Sequence, residues 1–240
     1  MPKRLFYILL ICCLSQHVAA QTADDTTLHE NALSAIGVYY ESLGEESPLY
    51  NGSEYIEYAH TLQEGHPFFQ TENFINGFVN LDGMIFRDVP MLYDIVKDQV
   101  VILDFQKVYK INLPANRVQR FSLSGHLFVR LTPDASGQIK TGFYDQLYNG
   151  KIGLFAKREK RILEKYSNIQ ISKVVISQNN YYVKKGGSYY TIKNKSSLLS
   201  VLKNKKKEVQ QYWKSNNIKF KKEPERAMIM AVEYYDQITN

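Results

Sequence analysis

From position 74 onward the chain alternates apolar and polar residues in short runs broken by turn residues, the pattern of half-buried strands. FINGFVNLDGMIFRDV predicts a hairpin around Asp82-Gly83, because an Asp-Gly pair tolerates the positive φ angles of a tight two-residue turn. That turn sets Leu81 opposite Met84 and Val79 opposite Phe86. MLYDIVKDQVVILDF predicts two strands joined near Lys97-Asp98. VYKINL, VQRFSL and HLFVRL follow as short strands separated by Pro114-Ala115-Asn116 and Ser124-Gly125, and TPDASGQ forms a turn cluster.

The tetrapeptide LYNG occurs twice. In FYDQLYNGKIGLFA it predicts a hairpin with a two-residue turn at Asn149-Gly150, Leu147 facing Ile152 and Asp145 facing Leu154. A carboxylate opposite a leucine is a poor pair, so this register is the weakest of the set. In ESPLYNGSEY the preceding Pro48 weakens any strand and leaves a turn without a long hairpin. Turn chemistry, rather than a repeated ligand signature, accounts for both copies. Residues 169–192, IQISKVVISQNNYYVKKGGSYYTI, predict a strand and then a hairpin around Gly186-Gly187. Val183, Tyr190, Tyr181 and Ile192 then share a core face, and Lys184, Tyr189, Tyr182 and Thr191 a solvent or partner face.

Outside this region the period changes to that of helices. LHENALSAIGVYYESL, residues 28–43, predicts a short helix ended by Gly44, followed by an acidic, aromatic loop region. At the other end, SLLSVLKNKKKEVQQYWKSNN predicts one helix capped by Ser196 or Ser197, with Leu198, Leu202, Val209, Tyr212 and Trp213 as its apolar stripe. Pro224 suits the first turn of a last helix that buries Met228, Ala231, Val232, Tyr235 and Ile238. The expected fold is therefore α+β: an antiparallel β-meander over residues 74–192, curling toward a half-barrel, with a short N-terminal helix and two C-terminal helices over 193–240. Residues 21–240 are expected to form one domain.

The first residues follow another grammar. Lys3 and Arg4 precede ten apolar residues, Leu5 to Leu14, and then Val18-Ala19-Ala20. This is the layout of a secretory signal peptide over residues 1–20, with cleavage expected after Ala20. The apolar run is too short to span a bilayer, and no second run of spanning length follows. Both cysteines, Cys12 and Cys13, fall inside it, so the exported chain has no thiol for a disulfide, a cysteine-based metal site or a nucleophile.

Charge changes the picture more than composition does. Residues 21–150 hold 8 Lys and Arg against 17 Asp and Glu; residues 151–240 hold 20 against 7. Such polarity concerns partners or internal docking rather than fold. Export disfavours nucleic acid as the partner of the basic part. An anionic envelope component, an acidic protein or the acidic half of the same molecule fits better.

The order LYNGSEY, EGHPFF, NGFVNLDGMIFRDVPMLYDIVKDQVV, GFYDQLYNGK and the lysine-rich tail SLLSVLKNKKKEVQQYWKSNN…VEYYDQI resembles uncharacterised secreted proteins of Bacteroidota. The resemblance implies an envelope or extracellular location, in the periplasm, on the outer membrane or outside the cell. It implies no chemistry.

Candidate sites are sparse. His60 and His66, with Glu57 and Glu64, offer imidazole and carboxylate ligands for a metal, although the six-residue step between the histidines is not a one-face helical spacing. Ser122, Ser124 and His126 invite a nucleophile–base reading but lack an elbow motif and a third partner. Phosphate-cradling glycine loops are absent, and no cofactor is implied. The basic surface offers Lys184, Lys205, Lys206 and Lys207, with Tyr182, Tyr189 and Trp213 as stacking groups. A solvated helical face and edge-strand lysines are the plain alternative. The leading expectation is a non-enzymatic envelope protein that binds an anionic partner or ligand. A metal-assisted hydrolytic accessory enzyme near His60 and His66, and a lipid or glycan carrier, are the alternatives.

Overall fold

The structure, a computed structural model, describes residues 36, 39, 40, 42–58, 62, 64–166 and 171–239. Most of the expected N-terminal helix and the whole leader lie outside these residues, as does His60. The described residues from Tyr40 onward belong to one compact unit.

Alternation becomes eleven antiparallel strands: β1 (Ser53–Glu54), β2 (Ile75–Leu81), β3 (Met84–Asp94), β4 (Gln99–Leu103), β5 (Lys110–Asn112), β6 (Val118–Leu123), β7 (His126–Leu131), β8 (Gly142–Asn149), β9 (Gly153–Tyr166), β10 (Ile171–Lys185) and β11 (Ser188–Ile192). They form one open sheet in the order β1-β5-β4-β3-β2-β6-β7-β8-β9-β10-β11. Two hairpins have the expected register. Leu81 faces Met84 and Val79 faces Phe86 around Asp82-Gly83. Val183 faces Tyr190 and Tyr181 faces Ile192 around Gly186-Gly187. Asp82, at φ 51°, and Gly83, at φ 84°, carry the positive angles that this turn demands.

The sheet is strongly bent. The Lys160 N–H donates to the Ile95 carbonyl at 3.1 Å, although β3 and β9 stand five places apart in the strand order. In a flat sheet five strand spacings separate them by about 24 Å. The concave face between them is packed solid. Tyr93, Phe121, Phe128 and Phe143 meet with ring centroids 4.8–6.1 Å apart, mostly edge to face. Val79, Leu81, Met91, Val118 and Leu123 complete the same cluster.

Several expectations need correction. The strands predicted on either side of Pro90 are one strand, β3. Pro90 is accommodated because pairing to β4 begins only at Met91, so β3 has a neighbour on one side there. The second LYNG hairpin is not a two-residue turn. Asn149 pairs with Gly153, Tyr148 with Leu154 and Asp145 with Ala156, and a bulge at Leu147 absorbs the difference. The predicted Asp145–Leu154 pairing is thereby avoided. The first LYNG copy is a 3₁₀ turn over Pro48–Tyr50, and Gly52 lies so close to the Asn112 carbonyl that a Cβ would collide with it. Finally, β9 runs far beyond KIGLFA, and the strand and hairpin arm expected before Gly186 are one strand, β10, so that the two form a ribbon of fourteen residue pairs. Its outer half, KREKRILEKY, mixes charges with Ile162 and Leu163 and carries no clean period-2 signal.

Three helices follow: α1 (Lys195–Val201), α2 (Lys206–Ser215) and α3 (Pro224–Ile238). The single helix expected over α1 and α2 is interrupted by a 3₁₀ turn at Lys203–Lys205. Side chains explain the break. Lys185 Nζ takes the Val201 carbonyl at 3.0 Å, and the Asn204 amide oxygen accepts from the Tyr235 hydroxyl at 2.9 Å. The cap of α1 is Asn194, not Ser196 or Ser197, and Ser197 completes a capping box. Leu198, Leu202, Val209, Trp213, Met228, Ala231 and Val232 bury the helices on Leu154, Val183 and Ile192 of the sheet. No helix among the described residues is long and apolar enough to cross a membrane.

Candidate functional site

Because Gly153 pairs with Lys184, the β8–β9 and β10–β11 turns stand side by side at one end of the sheet. Between them lies a groove of about 380 Å³. Its floor is Val129 and Leu131 of β7 with Phe155 and Tyr189, and its rim is Gln146, Asn149, Lys151 and Lys184. No carboxylate lines it. Lys184 Nζ sits 5.4 Å from the centre of the Tyr189 ring. Gly153 keeps this floor open, since a Cβ there would strike the Phe155 ring. Gly186 and Gly187 serve conformation instead: both have positive φ, and a Cβ on either would touch nothing.

Of the residues singled out in the sequence, the structure brings Lys184 and Tyr189 together here, packs Tyr182 against the same cluster as Tyr189, and places Trp213 and Lys205 to Lys207 on the helices. The face assigned to solvent is in fact covered. The segment 132–141 folds over it, Ile139 packs against Tyr144, Phe155 and Tyr189, and Asp134 accepts the Tyr189 N–H at 3.2 Å. Tyr189 is therefore only 5% exposed, while Tyr190, placed on the core face, is 44% exposed. Tyr182 packs edge to face on Tyr144. Burial, together with their acidic neighbours, raises the Tyr182 pKa and pushes that of Tyr144 up to about 12 even though Tyr144 bonds the Lys140 backbone. Trp213 is a core residue, 3% exposed, whose Nε1–H donates to the Ala227 carbonyl at 2.9 Å. Its ring belongs to the helix–sheet interface because the helical stripe that carries it is the buried one. Lys206 and Lys207 are exposed on α2, and Lys205 lies 3.5 Å from Glu208.

Around the expected metal position, His66 and Glu64 are described and His60 is not. Glu64 contributes its backbone, accepting the Val175 N–H at 3.0 Å. His66 Nδ1 is buried without a hydrogen-bond partner. Burial, seconded by the Lys160 charge, lowers the His66 pKa and favours the neutral ring. Among the described residues no three His, Cys, Asp or Glu side chains converge as a metal site.

Register separates Ser122 from His126. Leu123 faces His126 and Ser122 faces Leu127, so Ser122 and His126 lie on opposite faces of the sheet. Ser122 Oγ accepts the Phe78 N–H at 3.1 Å. What the sequence concealed is a polar chain through the interior. His126 Nδ1 meets Asp145 Oδ2 at 2.8 Å, and Arg158 donates to the same oxygen through Nε and Nη2 at 2.9 and 2.6 Å. Arg158 Nη1 reaches Glu225 of α3 at 2.6 Å, and the Tyr181 hydroxyl donates to that carboxylate at 2.8 Å. Asp145 is 1% exposed and Arg158 7%. Burial opposes both the Arg158 and Glu225 charges. The hydrogen bonds between them outweigh it, so the Arg158 pKa is raised and that of Glu225 lowered. The one available signal was the awkward position of Asp145 in the predicted hairpin. His126 Nε2 faces the Gln70 amide at 3.1 Å, so both ring nitrogens are engaged, and through Arg158 and Glu225 the chain ties the sheet to α3.

No protein-family model matches this chain, and no curated protein or solved structure shows significant similarity to it.

Proposed function

We propose that the protein is an exported, non-enzymatic envelope protein that holds an anionic, hydroxyl-bearing ligand, such as an acidic saccharide, in the groove between its two hairpin turns. The observation that carries this reading is the composition of that groove: Lys151 and Lys184 for an anion, the Gln146 and Asn149 amides for hydroxyls, and no opposing carboxylate. The helical end supports it. Residues 193–222 contain ten lysines and one glutamate, and among the described residues only Lys205 has an ion-pair partner in this stretch. Such a field raises the local concentration of anions and is screened by salt within about 8–10 Å. The signal-peptide layout and the resemblance to secreted Bacteroidota proteins supply the location. A cargo carrier is less favoured, since Tyr93, Phe121, Phe128 and Phe143 pack together on the concave face where cargo would sit.

The test is calorimetric titration with a hexose phosphate, the plain hexose serving as control, at low and high salt. Binding of the phosphate alone, weakened by salt and reduced about tenfold or more by Lys151→Glu with Lys184→Glu, is expected. Unchanged binding by that variant sinks the reading.

A second reading rests on the partnerless Nδ1 of His66, whose lowered pKa leaves it neutral and able to bind a metal. Zinc titration of the parent and of His66→Ala decides it: equal stoichiometry in both removes the metal-assisted enzyme.

A further inference from the structure

Another groove, at the other side of β10, has a different construction. On one edge, β10 is paired with β9 from Ile171 to Lys184. On the other edge, β11 covers only Tyr181–Lys185, and the isolated bridge from Glu64 covers Val174, with the Val175 N–H bonded to the Glu64 carbonyl. Between these two caps, residues 176–180 have no backbone partner on that edge among the described residues. Ile176, Ser177, Gln178 and Asn179 are exposed.

Exposed strand edges are ordinarily blunted by lysine, proline or a bulge. Here ten consecutive residues, VVISQNNYYV at 174–183, contain no charge, no proline and no glycine. Beside the bare edge is a groove of about 480 Å³ with an apolar floor of Tyr181, Ile192, Phe220 and Met228. This is where alternate side chains of an added strand would point. Its cation is Lys193, and Lys219 and Lys221 flank Phe220; all three are exposed and have no carboxylate partner among the described residues. The nearby carboxylates are already engaged, Glu223 by Arg226 and Glu225 by Arg158.

A second copy of the chain does not fit by pairing β10 with β10. An antiparallel register centred on Gln178 would drive the copy's residues 171–175 into the place beside 181–185 that β11 occupies. The slot is closed at both ends and admits about 17 Å of extended chain, roughly five residues. We propose that residues 176–180 of β10 receive a short extended segment of a partner protein as an added strand, its apolar side chain seated on Tyr181, Ile192, Phe220 and Met228 and its acidic side chains facing Lys193, Lys219 and Lys221. Main-chain hydrogen bonds then supply affinity, and the socket and the lysines supply selectivity.

The probe is a fluorescein-labelled hexapeptide of alternating glutamate and valine, with a lysine–valine peptide as control. Anisotropy reports binding, and hydrogen–deuterium exchange of the full chain reports position. The acidic peptide is expected to bind, to slow exchange at residues 176–180 about tenfold, and to lose about tenfold in affinity with Lys193→Glu and Lys221→Glu. These two positions are solvent-exposed, so an unchanged thermal melt certifies that the variant is folded. Lys184→Glu, at the turn groove, leaves this binding intact and separates the two sites. No binding up to about 1 mM, or binding that leaves exchange at 176–180 unaltered, overturns the proposal.

Discussion

The two ends of the sheet are stabilised by different physics. From β2 to β7 the concave face is closed by apolar side chains and aromatic rings, and stability there follows buried area. From β8 to β11 the same face carries apolar packing against three helices, but a charged chain crosses it: Asp145, Arg158 and Glu225. Burying charges costs several kcal/mol per ion before pairing is counted, so this chain is better understood as fixing how α3 sits on the sheet than as adding net stability. In the first region fitting volume is the main demand on a side chain. The second requires particular partners.

Substitutions at the centre of each region should give the largest effects and expose the difference. Phe121→Ala is expected to cost about 3–5 kcal/mol in urea unfolding, through lost area and a cavity. Asp145→Ala is expected to cost about as much, roughly 3–5 kcal/mol, by leaving Arg158 short of one partner. The two should part on rescue. Replacing Asp145, Arg158 and Glu225 together by apolar residues of similar volume should restore most of the loss, because the penalty is an uncompensated charge. If the triple variant is less stable than Asp145→Ala, the distinction drawn here fails.

Glycines give a smaller contrast. At Gly150 a Cβ would meet the Asp236 carboxylate, which also accepts from the Tyr148 hydroxyl, so Gly150→Ala is expected to cost about 1–3 kcal/mol by forcing the turn off α3. At Gly125 a Cβ would meet nothing, and only the φ of 77° opposes it. Gly125→Ala should cost about 1 kcal/mol. Chemical denaturation of both variants orders them.

Acid should weaken the second region first. The folded pKa of Glu225 lies below its unfolded value, so its contribution is complete above the ordinary carboxylate value of about 4.3 and is lost as pH falls through the folded value. Glu225→Gln should flatten the decline in melting temperature below that pH. An equally steep decline would remove Glu225 as its cause. A small effect, comparable to that of Gly125→Ala, is expected for Tyr55→Phe. It removes one of two hydroxyls donated to the buried Asp94, at 2.9 Å beside the 2.8 Å bond from Tyr58, and should cost about 1 kcal/mol.

The hairpins at Asp82-Gly83 and Gly186-Gly187 were legible in the sequence to the residue. Most of the buried stripes of the helices were legible too, with Tyr212 and Ile238 only half-buried, as was the pairing of Lys184 with Tyr189 on one face. These features depend on neighbours a few residues away, where turn chemistry and period act alone. The covering of Tyr189, the bulge at Leu147 and the open edge of β10 were not legible. Residues 132–141 set the first and the distance between Glu64 and β11 the last, while Asp236 of α3 holds the turn next to the bulge through the Ile152 N–H. Local pattern determined which strands form and which faces they prefer. The bend of the sheet, which brings β9 against β3 and Arg158 between Asp145 and Glu225, decided which of those faces water still reaches, because burial is a property of surfaces that meet and not of any stretch of sequence.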